Sequence, residues 1–200
     1  MDERTFNGST AADKAADPLE KNATNYVDGN SVFILGEFDD TISKNVVPNL
    51  LKIVNAQKKM RDGAVDFYIN SPGGRCSELF SLLSMVALAK SYGVKVRTFN
   101  MGMAYSCASM LSVVGDERKM LRYARNLMHL GTTHSMSSTF TQVKRNQKRQ
   151  KEHFDNIVSL YREHTKLAER QILEMMNDDC CFLGAAECLK YGLVDKVCDC

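Results

Sequence analysis

Apolar positions along the chain fall into short runs and helical stripes that alternate. Val32-Phe33-Ile34-Leu35 is a run that stops at Gly36. Asp39-Asp40-Thr41 then offers side-chain oxygens to cap a helix whose apolar stripe uses Ile42, Val46, Leu50 and Val54. Pro48 inside that stripe predicts a bend or a delayed start, because its ring nitrogen has no proton to donate. Ala64 to Ile69 reads as a strand entering the turn Ser71-Pro72-Gly73-Gly74, and Glu78 to Lys90 as a helix apolar on most sides and therefore buried. Val94 to Phe99 is a further strand, Ala104 to Val114 a helix of mostly small residues, and Asn126 to His129 a short strand after the charged stretch Asp116 to Arg122. This βαβαβ order predicts an α/β fold, a parallel sheet with helices on its faces.

The rhythm changes after residue 139. Phe140 and Val143 begin a helix, ten polar or charged residues follow, and Phe154, Ile157, Val158 and Tyr161 resume the stripe. A half-polar helix of that length, Thr139 to Glu163, is expected to project from the core. Leu167 to Met176, then Ala185 to Tyr191 closed by Gly192 as C-cap, then a strand at Leu193 to Val197 complete the domain. Residues 1–29 are rich in Asn, Ala, Asp, Thr and Gly and too poor in large hydrophobes to offset the entropy of ordering, so they are expected to form a flexible arm before one domain at 30–200.

Composition narrows the class of protein rather than its function. The 200 residues are 44% hydrophobic and carry a formal charge of +2, which suits one globular domain and calls for neither nucleic acid nor an anionic membrane as partner. The basic run Lys144 to Lys151 has no interleaved aromatics for stacking on bases, and a solvated or inter-subunit helix face is the simpler account. No apolar run reaches the roughly 18 residues of a membrane span, and Met1 to Asn30 has no signal-peptide core. The seven cysteines are odd in number and lack the spacing of a disulfide scaffold or of paired zinc-binding doublets, so reduced thiols in a cytoplasm and no metal are expected.

Two loops and one histidine carry candidate chemistry. Ser106 lies in Gly102-Met103-Ala104-Tyr105-Ser106-Cys107-Ala108-Ser109, where a strand gives way to a small-residue helix. A serine at a helix start stands beside unpaired backbone N–H groups that can stabilise an oxyanion, although capping alone also places serine there. Asn70-Ser71-Pro72-Gly73-Gly74 follows another strand and offers glycine N–H groups unobstructed by side chains, while being equally a plain turn. Of the four histidines, His129 alone ends an apolar strand, rigid enough to aim an imidazole at a nucleophile. His153 falls in the polar helix and His134 in a Thr/Ser-rich loop.

Together these segments resemble the proteolytic subunit of the caseinolytic (ClpP) protease from Val32 to Val197. Phe67-Tyr68-Ile69-Asn70-Ser71-Pro72-Gly73-Gly74 is similar to that family's strand and turn, Gly102-x-Ala104-x-Ser106 to its nucleophile segment, and Asn126-Leu127-Met128-His129 to its histidine strand. Phe182-Leu183-x-Ala185-x-Glu187 and Tyr191-Gly192-Leu193-Val194-Asp195 are similar to its C-terminal signature. The resemblance implies a spiral of βαβ units of the ClpP and crotonase kind with a projecting handle helix. It also implies a serine endopeptidase with Ser106 as nucleophile, His129 as general base, and the N–H groups of Gly74 and Cys107 as oxyanion hole. By the same resemblance the partners are copies of the chain in two stacked heptameric rings, unfolded polypeptide substrates and an AAA+ unfoldase of the Clp type, which alone uses ATP, so that the subunit needs no cofactor.

The third triad position departs from that pattern. The family carries an aspartate two residues before its C-terminal Phe-Leu, and here that position is Cys180. Counting instead from His164-Thr165 puts it on Asp179, as if the segment had gained a residue. The expectation is that Asp179, or as second choice Asp178, orients His129. The alternatives are a weak or inactive scaffold subunit lacking the acid, and a crotonase-like acyl-CoA enzyme on the same fold. Leu130-Gly131 and Lys166 also stand where the family usually has Gln-Pro and Gly.

Overall fold

A computed structural model describes residues 24–129, 140–177 and 181–199. Five parallel strands make the body of the sheet: β2 (Ser31–Ile34), β3 (Ala64–Ser71), β4 (Lys95–Tyr105), β5 (Glu117–Leu121) and β8 (Lys196–Cys198), side by side in that order. β1 (Asn25–Asp28) adds antiparallel to β2 at one edge. β6 (Arg125–Leu127) pairs parallel with the far end of β4, and β7 (Phe182–Leu183) pairs antiparallel with β6.

Helices α1 (Val47–Gln57), α2 (Cys76–Ser91) and α3 (Cys107–Val113) link the parallel strands, as the alternating apolar runs predict. Ile42, Val46, Leu50 and Val54 are all buried. Pro48 delays the α-helix as its missing donor requires: the first turn, Ile42–Val46, is wound as a π-helix, and α1 starts one residue before the proline. α4 (Phe140–His164) is the long half-polar helix, with residues 142–153 exposed and Ile157, Val158 and Tyr161 buried. α5 (Glu169–Met176) and α6 (Ala185–Tyr191) follow, α6 ending at Gly192 in the left-handed region.

Several boundaries differ from expectation, among them the last strand, which runs over Lys196–Cys198 rather than Leu193 to Val197. Asn25–Asp28 lies within the segment expected to be an arm, yet it is strand β1; residues 1–23 lie outside the described residues. β1 is held by polar as well as apolar contacts: Asn25 is fully buried, its amide donates to Glu37 O at 2.8 Å and Thr41 Oγ1 at 3.1 Å, its Oδ1 accepts from Gly36 N–H, and the Tyr26 ring stacks on Phe33. The charged stretch Asp116 to Arg122 contains β5, where charged side chains surround the single buried Met120 and Arg118 spans to Asp195 at 2.6 Å. Finally, β4 continues through Gly102 to Tyr105, and the helix expected from Ala104 begins at Cys107.

That longer strand positions the site. The first half of β4 pairs with β5 through Arg97 to Asn100, and its second half, Met103 to Tyr105, pairs with β6. Between them the register with β3 slips, from Ile69 opposite Asn100 to Ser71 opposite Ala104. The slip is filled by the Asn70 side chain, whose Oδ1 accepts from Met103 N–H at 2.9 Å. A Cβ on residue 102 would lie 2.5 Å from that oxygen, so the bulge requires Gly102.

Candidate active site

Ser106 sits on the corner between β4 and α3 with φ 53° and ψ −119°. Among the described residues it is the single non-glycine with positive φ. For a residue with a Cβ this conformation costs on the order of 1–3 kcal/mol and persists only where its surroundings enforce it. The enforcement is visible: Ser106 N–H donates to Leu127 O at 2.9 Å, and Ser106 O accepts from Met110 N–H at 3.2 Å in the first turn of α3. The corner therefore thrusts the hydroxyl out of both elements, as a strained strand-to-helix turn does for a nucleophile.

The glycine loop packs directly on this corner. A Cβ at Gly73, whose φ is 95°, would meet Tyr105 O at 2.6 Å and Ser106 Cβ at 2.8 Å, so only glycine allows the approach. Phe38 holds the loop by its backbone, donating to Gly73 O and accepting from Arg75 N–H, each at 2.8 Å. Ser71 Oγ accepts from Gly73 N–H at 3.1 Å. Gly74 is tied across to α3 by the Cys107 thiol, which donates to Gly74 O at 3.1 Å. Cys107 is the first residue of α3, where a helix has no internal acceptor for its N–H.

His129 follows β6 by two residues and is half-buried. Because β6 lies beside the end of β4, with Tyr105 opposite Leu127, the chain after β6 and the chain after β4 leave the sheet together, and Ser106 and His129 occupy neighbouring strand ends. A buried polar chain braces this arrangement from behind. Tyr161 on α4 donates to Ser109 Oγ at 2.8 Å, Ser109 donates to Asn126 Oδ1 at 2.7 Å, and the Asn126 amide reaches Ser112 Oγ at 3.4 Å. Burial pushes the Tyr161 hydroxyl up, so it stays protonated and donates.

A cavity of about 770 Å³ opens over the corner. Gly74, Cys76, Ser106 and Met110 form one wall, and Gln150, Phe154 and Ile157 of α4 are among the residues of the other. Its lining mixes apolar Phe38, Met110 and Phe154 with polar Glu37, Asp39 and Gln147. Chemically, a thrust-out hydroxyl between two sets of helix-start and glycine N–H groups is an arrangement for acyl transfer.

The family model described as Clp protease matches residues 18–200. The chain belongs to the Clp protease family. Two relatives show how far it has diverged. The ATP-dependent Clp protease proteolytic subunit of Deinococcus radiodurans is 29% identical over 170 residues, covering 84% of this chain and 79% of the relative. The ATP-dependent Clp protease proteolytic subunit 2 of Rhodococcus jostii is 30% identical over 177 residues, covering 83% and 82%.

Within this Clp protease fold, the glycine loop, Ser106 and Cys107 meet at one corner and His129 follows the neighbouring strand β6 without lining the cavity, while Asp178, Asp179 and Cys180 lie outside the described residues. Residues that sequence reasoning passed over also shape the site. Phe38 pins the glycine loop through backbone atoms alone, which leaves no trace in side-chain pattern. Cys76 lines the cavity and has its sulfur 4.0 Å from that of Cys107; the two are 31 positions apart, and nothing in their spacing signals the pairing. Tyr161 was visible only as one position of an apolar stripe.

Proposed function

We propose that this Clp protease family member is a serine endopeptidase subunit of a self-compartmentalised protease in the cytoplasm. It would hydrolyse peptide bonds of unfolded polypeptides supplied by an AAA+ unfoldase, within two stacked heptameric rings. The observation that carries the reading is the enforced corner at Ser106, packed against the glycine loop and beside the His129 strand end. In the proposed reaction His129 takes the Ser106 proton as Oγ attacks the substrate carbonyl. The resulting oxyanion is held by the N–H groups of Gly74 and Cys107, and the imidazolium then protonates the leaving amine. Water repeats the sequence on the acyl-enzyme. No cofactor enters these steps, and ATP belongs to the unfoldase.

Asp179 is proposed to orient His129. Support comes from register: Leu127 faces Phe182 on antiparallel strands, so the chain after Leu127 and the chain before Phe182 leave the pair in the same direction. Ser106→Ala is expected to abolish hydrolysis of an unstructured peptide and labelling by a fluorophosphonate. Turnover unchanged in that variant overturns the nucleophile assignment. Asp179→Asn is expected to lower kcat by about 10⁴ while Asp178→Asn leaves it near the parent value. A protein that assembles but never labels at Ser106 would instead be a non-catalytic ring subunit.

A further inference from the structure

We propose that Cys76 and Cys107 form a redox-modification site, in which Cys76 attacks and opens a low-molecular-weight disulfide entering the cavity, and Cys107 resolves the adduct into an intramolecular disulfide. Their sulfurs are 4.0 Å apart, so closing a bond of about 2 Å requires an approach of about 2 Å. The two are placed differently. Cys76 is half-buried, lines the cavity and occupies the first position of the 16-residue helix α2, while Cys107 is fully buried behind it. The reagent can therefore reach Cys76 first.

The environment divides the protons in the same sense. The contact with Cys107 brings the Cys76 thiol down to about 6 against the opposing effect of burial. Cys107 is held well above the ordinary thiol range by that same contact and by burial. In the first step the Cys76 thiolate attacks one sulfur of the incoming disulfide; its S–S bond breaks, one small thiolate leaves, and a mixed disulfide remains on Cys76. In the second, Cys107 gives its proton to the departing thiolate and attacks Cys76 Sγ, releasing the second small thiol. Two cysteine thiols are oxidised and one small disulfide is reduced to two thiols.

The consequence for catalysis rests on the proposed function above. The Cys107 thiol proton now donated to Gly74 O would be lost, and Cys107 would be drawn toward α2. Gly74 and Cys107 are the residues whose N–H groups are proposed to hold the oxyanion, and loss of one such donor costs about 10²- to 10³-fold in rate. The bond would thus shut the site reversibly.

The test uses the full-length protein and oxidised glutathione. After incubation, peptide mapping without reductant is expected to find Cys76 joined to Cys107, and dithiothreitol to separate them. This mapping needs neither a variant nor peptidase activity, so it decides the chemistry even if the proteolytic reading fails. Both cysteines remaining thiols while the other cysteines react overturns the proposal. Hydrolysis of an unstructured peptide is expected to fall at least about tenfold on oxidation and to recover on reduction, consistent with loss of an oxyanion donor. In Cys76→Ser the ratio of oxidised to reduced activity should stay near unity, and Cys107→Ser should retain glutathione on Cys76. A mapped cross-link with undiminished hydrolysis overturns the inhibitory role.

Discussion

At Ser106 the side chain and the backbone want different things. With φ 53° and ψ −119° the position suits glycine, which populates positive φ freely, and a Cβ there is tolerated only because Leu127 O and the first turn of α3 clamp it. Ser106→Gly is therefore expected to raise stability by about 1 kcal/mol, the relief of strain less the backbone entropy that glycine loses, while hydrolysis disappears. Urea denaturation of the two proteins measures it, and a less stable glycine variant would show that the corner is unstrained. The brace behind it is the second residue-scale case. Tyr161→Phe is expected to cost about 1 kcal/mol, since Ser109 keeps Asn126 as acceptor. Ser109→Ala is expected to cost more, roughly 2–4 kcal/mol, because it strands both Tyr161 Oη and Asn126 Oδ1 in the core. Ser106 and His129 were legible as candidates because a hydroxyl at a strand-to-helix junction and an imidazole at an apolar strand end are local features. Their placement on neighbouring strand ends was not local: it depends on β4 running past Gly102 to pair with β6, across a register slip that the Asn70 side chain fills from another strand.

Among the elements, the stripes of α1 and α4 and the parallel order of β2, β3 and β4 were legible, since each buries a face whose spacing the chain displays. β1 and β5 were not, because each has little apolar pattern of its own and is fixed in part by polar contacts, the one by the buried Asn25 amide and the other by ion pairing. Arg118 on β5 shows what replaces hydrophobicity there. Its guanidinium bonds Asp195, His164 O and Gly192 O, so one side chain ties β5 to the end of α4, the end of α6 and the approach to β8. The hydrogen bond from Arg118 holds the Asp195 carboxyl below its ordinary value of 3.8. A carboxyl so depressed stabilises the fold fully above pH 3.8, and that contribution fades as pH falls through the lower folded-state value. Asp195→Asn is accordingly expected to be less stable than the parent at pH 7 and to approach it below pH 3.8, with half-exposure of the carboxylate keeping the difference small. Thermal melts across that range would expose an error as a constant gap.

For the molecule as a whole, α4 is the unusual part. Its 25 residues span about 37 Å, and the polar first half is solvent-exposed, supported by spaced pairs such as Lys151 with Asp155 at 3.2 Å. The described residues include no helix long and apolar enough to cross a membrane, so that exposed length is not a span. In the proposed rings, sedimentation should find a particle far larger than the 22.4 kDa chain, and charge reversal at Lys148 and Lys151 should weaken it. The same helix forms a wall of the cavity over Ser106 through Gln150, Phe154 and Ile157. Whatever grips its outer half thereby sets the width of the slot in which a peptide must lie. Turnover per chain should then fall on dilution, ahead of any unfolding, because an isolated subunit has nothing to keep that wall at the right distance.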